Sequence, residues 1–520
     1  MLIHIFFITC TLAATATNAQ ISVIESSASG QQWAVLSDQQ WTKTPPSGFT
    51  ISIDLSQMRQ EVMGFGSAFT DTSAYNAMVY MNEDIRSTFI ESLWGESGLQ
   101  LSFGRVHINS PDYSVHTYNL DNVTDDFALE HFDSALTYDE QRVLPLIRLA
   151  QEKVSQWNGQ PIRLYASPWS PPGWMKTNNN MIDSFAQCLK NDTAAGDSYR
   201  LAWANYILKW LQAWQAHGVA LWGLTPQNEP EARQSNFESC AYTIPAYLDF
   251  VRNYLIPTIV PNFPNLQIMA YDHNKIDSVE FVEAIVNDPA TSRGIAGTAV
   301  HWYDYFTTLG LEELDAIHSL TPNKFILSTE ACFLDSLAID WTTGFLYIAD
   351  IVGSLRHYVS GWVFWNSALL TGDMFPESIG GPNHDNTTHF GDPVLFEFNA
   401  TGSQRLLFQP SYWILGHFSR AMKPGSFIVP TTGDTADSYA DFESIRNYTL
   451  SCYGERTCSS PSFPLISVGF ADPVHNVAGM IVANINHQAI NFNIHDISGG
   501  NRYSTGSIPA QSIHTYTWGV

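Results

Sequence analysis

Two glutamates stand where strand-like stretches stop. The apolar run Val219 to Leu224 ends abruptly in Thr225-Pro226-Gln227-Asn228-Glu229-Pro230-Glu231, and the stretch Lys324 to Thr329 is followed directly by Glu330. A buried strand that delivers amide, carboxylate and proline to one edge of a sheet reads this way, and that edge is where chemistry would sit. Two such carboxylates held about 5 Å apart can open a glycosidic bond. One protonates the leaving oxygen and later activates water, while the other attacks the anomeric carbon. A glutamate after a strand also commonly caps the following helix, so neither position is decisive alone. The Asn-Glu-Pro setting and the second strand-end glutamate favour the chemical reading.

The elements that must position them alternate along the middle of the chain. Candidate strands are 65–69, 101–108, 162–166, 219–224, 266–270, 295–301, 325–328 and 361–365. Between them run amphipathic helices, the clearest at 199–217, where Trp203, Ile207, Trp210, Leu211 and Trp214 share a stripe and Gly218 stops the helix. Pro245 opens another, with Leu248, Val251 and Leu255 on one face. Eight βα repeats without a Gly-x-Gly-x-x-Gly fingerprint predict an α/β fold, a closed (β/α)8 barrel rather than a doubly wound sheet. Glu229 then follows strand four and Glu330 ends strand seven.

The chain ends read differently. Short alternating strands are expected at 465–470, 479–486, 489–494 and 512–518, and again at 49–55. The expected organisation is a signal segment at 1–19, N-terminal strands at 20–60, a barrel at 61–424 with a Gly- and Pro-rich excursion at 367–410, and a C-terminal region at 425–520. The two ends together would form one β-sandwich beside the barrel, because isolated hairpins rarely hold.

With 24 basic and 50 acidic residues in 520, the formal charge is −26, which argues against a nucleic-acid partner because little here could neutralise phosphates. The same balance suits work in acid or simple solubility. The 13% aromatic content, with 16 Trp, offers rings for stacking on sugar faces, although most are expected in the core. Leu2 to Leu12 is nearly all apolar and leads to Thr17-Asn18-Ala19, a secretory signal pattern. No later stretch approaches 18 uninterrupted apolar residues, so no membrane span is expected. Sequons open at Asn122, Asn191, Asn386, Asn399 and Asn447. Of the cysteines after Cys10, Cys452 and Cys458 flank a short loop and could bridge, Cys188 and Cys240 follow successive strands and could pair, and Cys332 would stay free. No Cys-x-x-Cys, His-Glu-x-x-His or calcium-loop motif occurs, so neither a metal nor another cofactor is expected.

An ordered set of motifs then makes the chain resemble the glucosylceramidases (glucocerebrosidases, acid β-glucosidases), retaining barrel glycosidases, from about Gly64 to Trp518. They are Gly64-Phe65-Gly66 with Thr70-Asp71, Ala166-Ser167-Pro168-Trp169-Ser170, Gln227-Asn228-Glu229-Pro230, Val300-His301-Trp302-Tyr303 and Ser328-Thr329-Glu330-Ala331-Cys332. Later come Trp362-Val363-Phe364-Trp365-Asn366, Gly380-Gly381-Pro382-Asn383, Leu415-Gly416-His417-Phe418-Ser419 and Ser512-Ile513-His514-Thr515-Tyr516.

The resemblance implies Glu229 as acid/base and Glu330 as nucleophile. It implies Asn228 on the sugar 2-hydroxyl, Asp112 gripping other hydroxyls, Trp169 and Trp365 beside the sugar, and His301 and Tyr303 near the nucleophile. Arg105 on strand two is expected to lie close enough to keep a carboxylate ionised. Burial and the neighbouring carboxylate are expected to raise the pKa of Glu229. Asn386 falls where family members place a residue near the pocket mouth, and 178–197 is longer than in animal members. The implied activity is hydrolysis of glucosylceramide, in a lysosome or outside the cell, at a membrane surface or with a lipid-presenting activator protein. A β-1,6-glucanase, a β-xylosidase, or a silent sugar-binding protein on the same scaffold are the alternatives; the intact glutamate pair weighs against silence.

Overall fold

The computed structural model describes residues 20–184, 187–334, 340–371, 391–453, 458 and 461–520, so the expected signal segment and the Asn386 sequon lie outside the described residues. Eight parallel strands close into a barrel: β1 (Gly64–Ala68), β2 (Phe103–Ile108), β3 (Arg163–Pro168), β4 (Gly223–Leu224), β5 (Gln267–Asn274), β6 (Gly297–His301), β7 (Phe325–Glu330) and β8 (Val359–Asn366). Phe103, Tyr165, Met269, Ala299, Leu327 and Val363 point inward from six of these strands and plug the barrel. The Gly64-Phe65-Gly66 motif has a steric cause. Gly64 has φ +135°, and a Cβ there would lie 2.3 Å from Ser102 Oγ.

The helix expected after the third strand spans Tyr199–Ala216, with Ser198 capping its start and the Trp stripe buried. Gly218 (φ +83°) ends it as anticipated. The amide of Val219 bonds back to Trp214 O at 3.0 Å and that of Gly218 to Gln215 O at 3.1 Å, a Schellman closure. The closure corrects the strand expected at 219–224: its first residues complete the helix end, and only Gly223–Leu224 pair in the barrel. β5 errs the other way, running to Asn274, well past the expected end at 270.

Both chain ends form a separate β region. Gln20–Ser27 pairs antiparallel with Ser512–Gly519 inside a seven-stranded sheet, and Thr50–Ile53 lies in a four-stranded sheet beside Ile490–Asp496. Ile21, Ile51, Ile53, Met480, Phe492, Tyr516 and Trp518 fill the space between them. One element was not anticipated: Tyr439–Cys452 is a helix, opened by a Ser438–Asp441 capping box, that packs on the barrel helix Trp341–Arg356. The flanks of the 367–410 excursion form a small sheet of Leu369–Thr371, Val394–Phe398 and Gln404–Phe408. Its Leu369 and Leu395 pack with Trp169, Trp365, Tyr113 and Cys332, so this small sheet walls the barrel mouth. Asn122, Asn191 and Asn447 are exposed and Asn399 is half-buried.

Candidate active site

Strand alternation builds the site directly on the barrel plug. Two residues beyond Phe103, Tyr165, Ala299, Leu327 and Val363 on the same strands come Arg105, Ser167, His301, Thr329 and Trp365, all buried. An apolar layer thus carries a polar layer toward the carboxyl ends of the strands. Two register shifts add residues to it. Between β6 and β7, Val300 pairs Ser328 but His301 pairs Glu330, so Thr329 and Glu330 both contribute. Between β5 and β6, Ala299 pairs Tyr271 but Val300 pairs His273, which sets Asp272 in the extra position; Tyr271 and Asp272 have φ +75° and +71°. Glu229, with φ +47° just before Pro230, is a further left-handed non-glycine residue here.

Arg105 joins the two halves of the site. Its fully buried guanidinium donates to Glu330 Oε2, to Asn228 Oδ1 at 2.7 Å and to Asp272 Oδ2 at 3.0 Å. The indoles of Trp169 and Trp365 stack 5.1 Å apart, and both lie under this cation, at 4.7 and 5.3 Å. Burial alone would discharge Arg105, but the charges of Asp272 and then Glu330 outweigh it and raise its pKa. The other oxygen of Glu330 accepts from Tyr303 Oη at 2.7 Å. That hydroxyl is also 3.4 Å from the sulfur of Cys332, the free and buried cysteine.

Glu229 sits among histidines. His301 Nδ1 is 3.3 Å and His273 Nδ1 3.6 Å from its Oε1. Burial works to raise its pKa, but hydrogen bonding and charge from His273 and His301 prevail and hold it below the usual carboxylate range. The sequence-based expectation of a raised value is therefore corrected, because the neighbours of Glu229 are imidazoles that strand periodicity did not bring together. His301, which burial would discharge, is pushed up to about 9 by Glu330, Asp272 and Glu229. Asp112 behaves oppositely: burial first, then the charges of Glu330 and Glu229, raise it well above the usual range. Its Oδ1 is buried without a hydrogen-bond partner among the described residues.

The structure thus brings Glu229, Glu330, Asn228, Arg105, His301, Tyr303, Trp169, Trp365 and Asp112 to one end of the barrel. Two residues escaped the sequence reading. Asp272 accepts from Arg105, Ser167 Oγ (2.8 Å), Thr225 Oγ1 (2.7 Å) and Thr329 Oγ1 (2.7 Å), and faces His301 Nε2 at 3.1 Å. These partners hold its carboxyl far below the usual range against the cost of burial. His273 follows it and reaches Glu229. A signal existed in the hydroxyls, since Ser167, Thr225 and Thr329 each stand at a strand end where a buried hydroxyl needs an acceptor.

The rim formed by the loops after β3 and β4 is stapled. Cys188–Cys240 links the loop after β3 to the loop after β4, as the sequence allowed, and Cys452–Cys458 closes the local bridge. Lys176 Nζ donates to the carbonyls of Met181, Asp183 and Ser239 at 2.6–2.8 Å, binding the long 178–197 tract to the same rim.

Residues 62–422 match the glycosyl hydrolase family 30 TIM-barrel domain. The chain is 28% identical to the lysosomal acid glucosylceramidase of Mus musculus over 482 residues, 91% of this chain and 84% of that one. It is also 28% identical to an endo-1,6-beta-D-glucanase of Trichoderma harzianum over 401 residues, 75% of each. In fold it is similar to SrfJ from Salmonella typhimurium, with a TM-score of 0.77 at 24% identity over 96% of this chain and 100% of that one. The family match spans more than half of the chain and coincides with the barrel that carries both glutamates, so this protein belongs to glycosyl hydrolase family 30 and is a glycoside hydrolase.

Proposed function

We propose that the chain is a retaining β-glucosidase that hydrolyses glucosylceramide to glucose and ceramide, acting in a lysosome or outside the cell. The observation that carries the reading is one imidazole set between the two carboxylates: His301 Nδ1 is 3.3 Å from Glu229 and its Nε2 4.0 Å from Glu330. Both carboxyls therefore face one site, as two groups acting on one bond must, and double displacement is the proposed course because the chain resembles retaining barrel glycosidases.

Glu330, oriented by Arg105 and Tyr303, attacks the anomeric carbon while Glu229 protonates the departing oxygen. In the resting site that proton is held by His301, beside Glu229. Binding of the glucoside removes water and raises the carboxyl, so the proton moves to Glu229. Formation of the glucosyl ester then removes the charge of Glu330. Glu229, now ionised, takes a proton from water, which attacks the ester and returns Glu330 as a carboxylate. With its carbonyl oxygen on Arg105, Asn228 turns its NH2 toward the sugar 2-hydroxyl. Asp112 Oδ1 and Trp365 Nε1, both without a hydrogen-bond partner among the described residues, suit other hydroxyls.

Glucosylceramide is favoured over a glucan because the likeness to the mouse enzyme extends over 91% of this chain, against 75% for the fungal glucanase. No helix among the described residues is long and apolar enough to cross a membrane, so the lipid would be met at a surface or through an activator protein. The charge of −26 disfavours anionic lipid at neutral pH, and surface binding should strengthen in acid. The second reading, an endo-β-1,6-glucanase, rests on the Trichoderma relative. Sugar release at acid pH from glucosylceramide micelles and from β-1,6-glucan, with a Glu330→Gln control, separates the two. Glucose from the lipid, lost in the control, is the expected result. Release mainly from the glucan would keep the mechanism and replace the substrate.

A further inference from the structure

The acid/base carboxylate has more nitrogen around it than proton transfer requires. Glu229, His273 and His301 come from three successive strand ends, and their ligating atoms all lie within 4.8 Å of one another. His301 Nδ1 and His273 Nδ1 stand 3.3 and 3.6 Å from Glu229 Oε1. A tetrahedral zinc ion with bonds of about 2.0–2.1 Å sets its ligands roughly 3.3 Å apart; one edge has that length, a second is 3.6 Å and all lie within 4.8 Å, so a small inward shift completes the set. His273 Nδ1 is buried with no hydrogen-bond partner at ordinary distance among the described residues. Behind His301, Asp272 Oδ1 faces Nε2 at 3.1 Å and is itself held by Thr329. A carboxylate in that place suits a proton on Nε2, so that loss of the Nδ1 proton frees the Nδ1 lone pair for a metal. Arg105 and Tyr303 occupy the oxygens of Glu330, which keeps the nucleophile out of the donor set.

We infer that Glu229, His273 and His301 form an inhibitory site for a divalent transition-metal ion, zinc in the first instance. The ion takes one carboxylate oxygen and two imidazole Nδ1 lone pairs, with water as fourth ligand. Any proton carried by Glu229 or by His301 Nδ1 leaves to solvent, and no electron is transferred. A metal-bound Glu229 can neither deliver nor accept the proton that the glycosidic oxygen requires. The site rests on geometry alone; its inhibitory effect also rests on the acid/base role of Glu229, so binding and inhibition are measured separately.

Equilibrium dialysis of the full chain against zinc chloride is expected to show one ion per chain, and hydrolysis of an aryl β-glucoside to fall in step with occupancy and return with a chelator. His273→Gln is expected to weaken zinc binding at least about tenfold, the loss that even an outer partner of a zinc ligand can cost. No stoichiometric binding, or equal affinity in His273→Gln, would overturn the site. Stoichiometric binding without loss of activity would overturn its inhibitory effect. Should His273→Gln fail to fold, titration of the unmodified chain with cobalt(II) reads the same site: the visible absorption of a tetrahedral centre saturating at one equivalent supports it, and its absence contradicts it.

Discussion

The two glutamates are the same residue in unlike surroundings. Glu330 is gripped by a buried guanidinium on one oxygen and a tyrosine hydroxyl on the other. Glu229 instead meets two imidazoles, 3.3 and 3.6 Å away, in a slightly more exposed pocket. Permanent donors suit a group that must be oriented as an anion, while titratable neighbours suit one that must gain and lose a proton in each cycle. The backbone follows the same division: Glu330 lies in regular strand with a register shift beside it, and Glu229 sits in the left-handed region before a proline. On the proposed mechanism it is the surroundings, not the side-chain type, that separate the two roles.

Breaking the proposed nucleophile should produce the largest effect. Glu330→Gln is expected to lower kcat/KM on the order of 10⁴-fold or more for every glucoside, whatever its leaving group. Glu229→Gln should lose about 10²–10⁴-fold on glucosides with poor leaving groups but recover the first step with an activated phenolate, because such a group departs unprotonated. Equal losses on both substrates would erase the distinction between the two residues. Arg105→Met removes the cation shared by Glu330 and Asp272, and denaturant unfolding should show a loss of roughly 3–5 kcal/mol. Arg105→Lys should recover little, since a single ammonium cannot reproduce the fork that reaches Glu330, Asn228 and Asp272 together.

The smallest effect sharpens the acid/base side. His301 binds its proton up to about 9 in the folded protein, against about 6.5 for a free imidazole. Its stabilising contribution is complete below about 6.5 and is lost as pH rises through about 9, roughly 3 kcal/mol in all. Unfolding free energies measured across that window should fall with pH in the unmodified protein and show a flatter slope in His301→Asn. Parallel slopes would contradict the assignment of that proton to His301.

The sequence made the strands of the barrel visible because each is an apolar run that stops at polar residues, and that same stop exposes Glu229 and Glu330. His301 was legible through its motif and Arg105 through its place on strand two, and both fall where strand alternation continues the barrel plug. Asp272 was hidden because Tyr-Asp-His-Asn after an apolar run reads as a turn. Only the shifted register against β6 makes it strand, and its partners come from β2, β3, β6, β7 and the residue after β4. The environment of Glu229 was misjudged for the same reason, since His273 reaches it from a bulge. The helix Tyr439–Cys452 escaped because it interrupts a strand-rich region, although its Ser438–Asp441 capping box was there to be read.

The most direct test is to trap the covalent intermediate. The protein is incubated with an activated 2-fluoro-glucoside, digested, and its peptides weighed. The expected result is one fluoroglucosyl ester on the peptide containing Glu330, absent from Glu330→Gln and still formed by Glu229→Gln. An ester on Glu229 or Asp112, or continued turnover with no ester at all, would contradict the assignment of the two carboxylates.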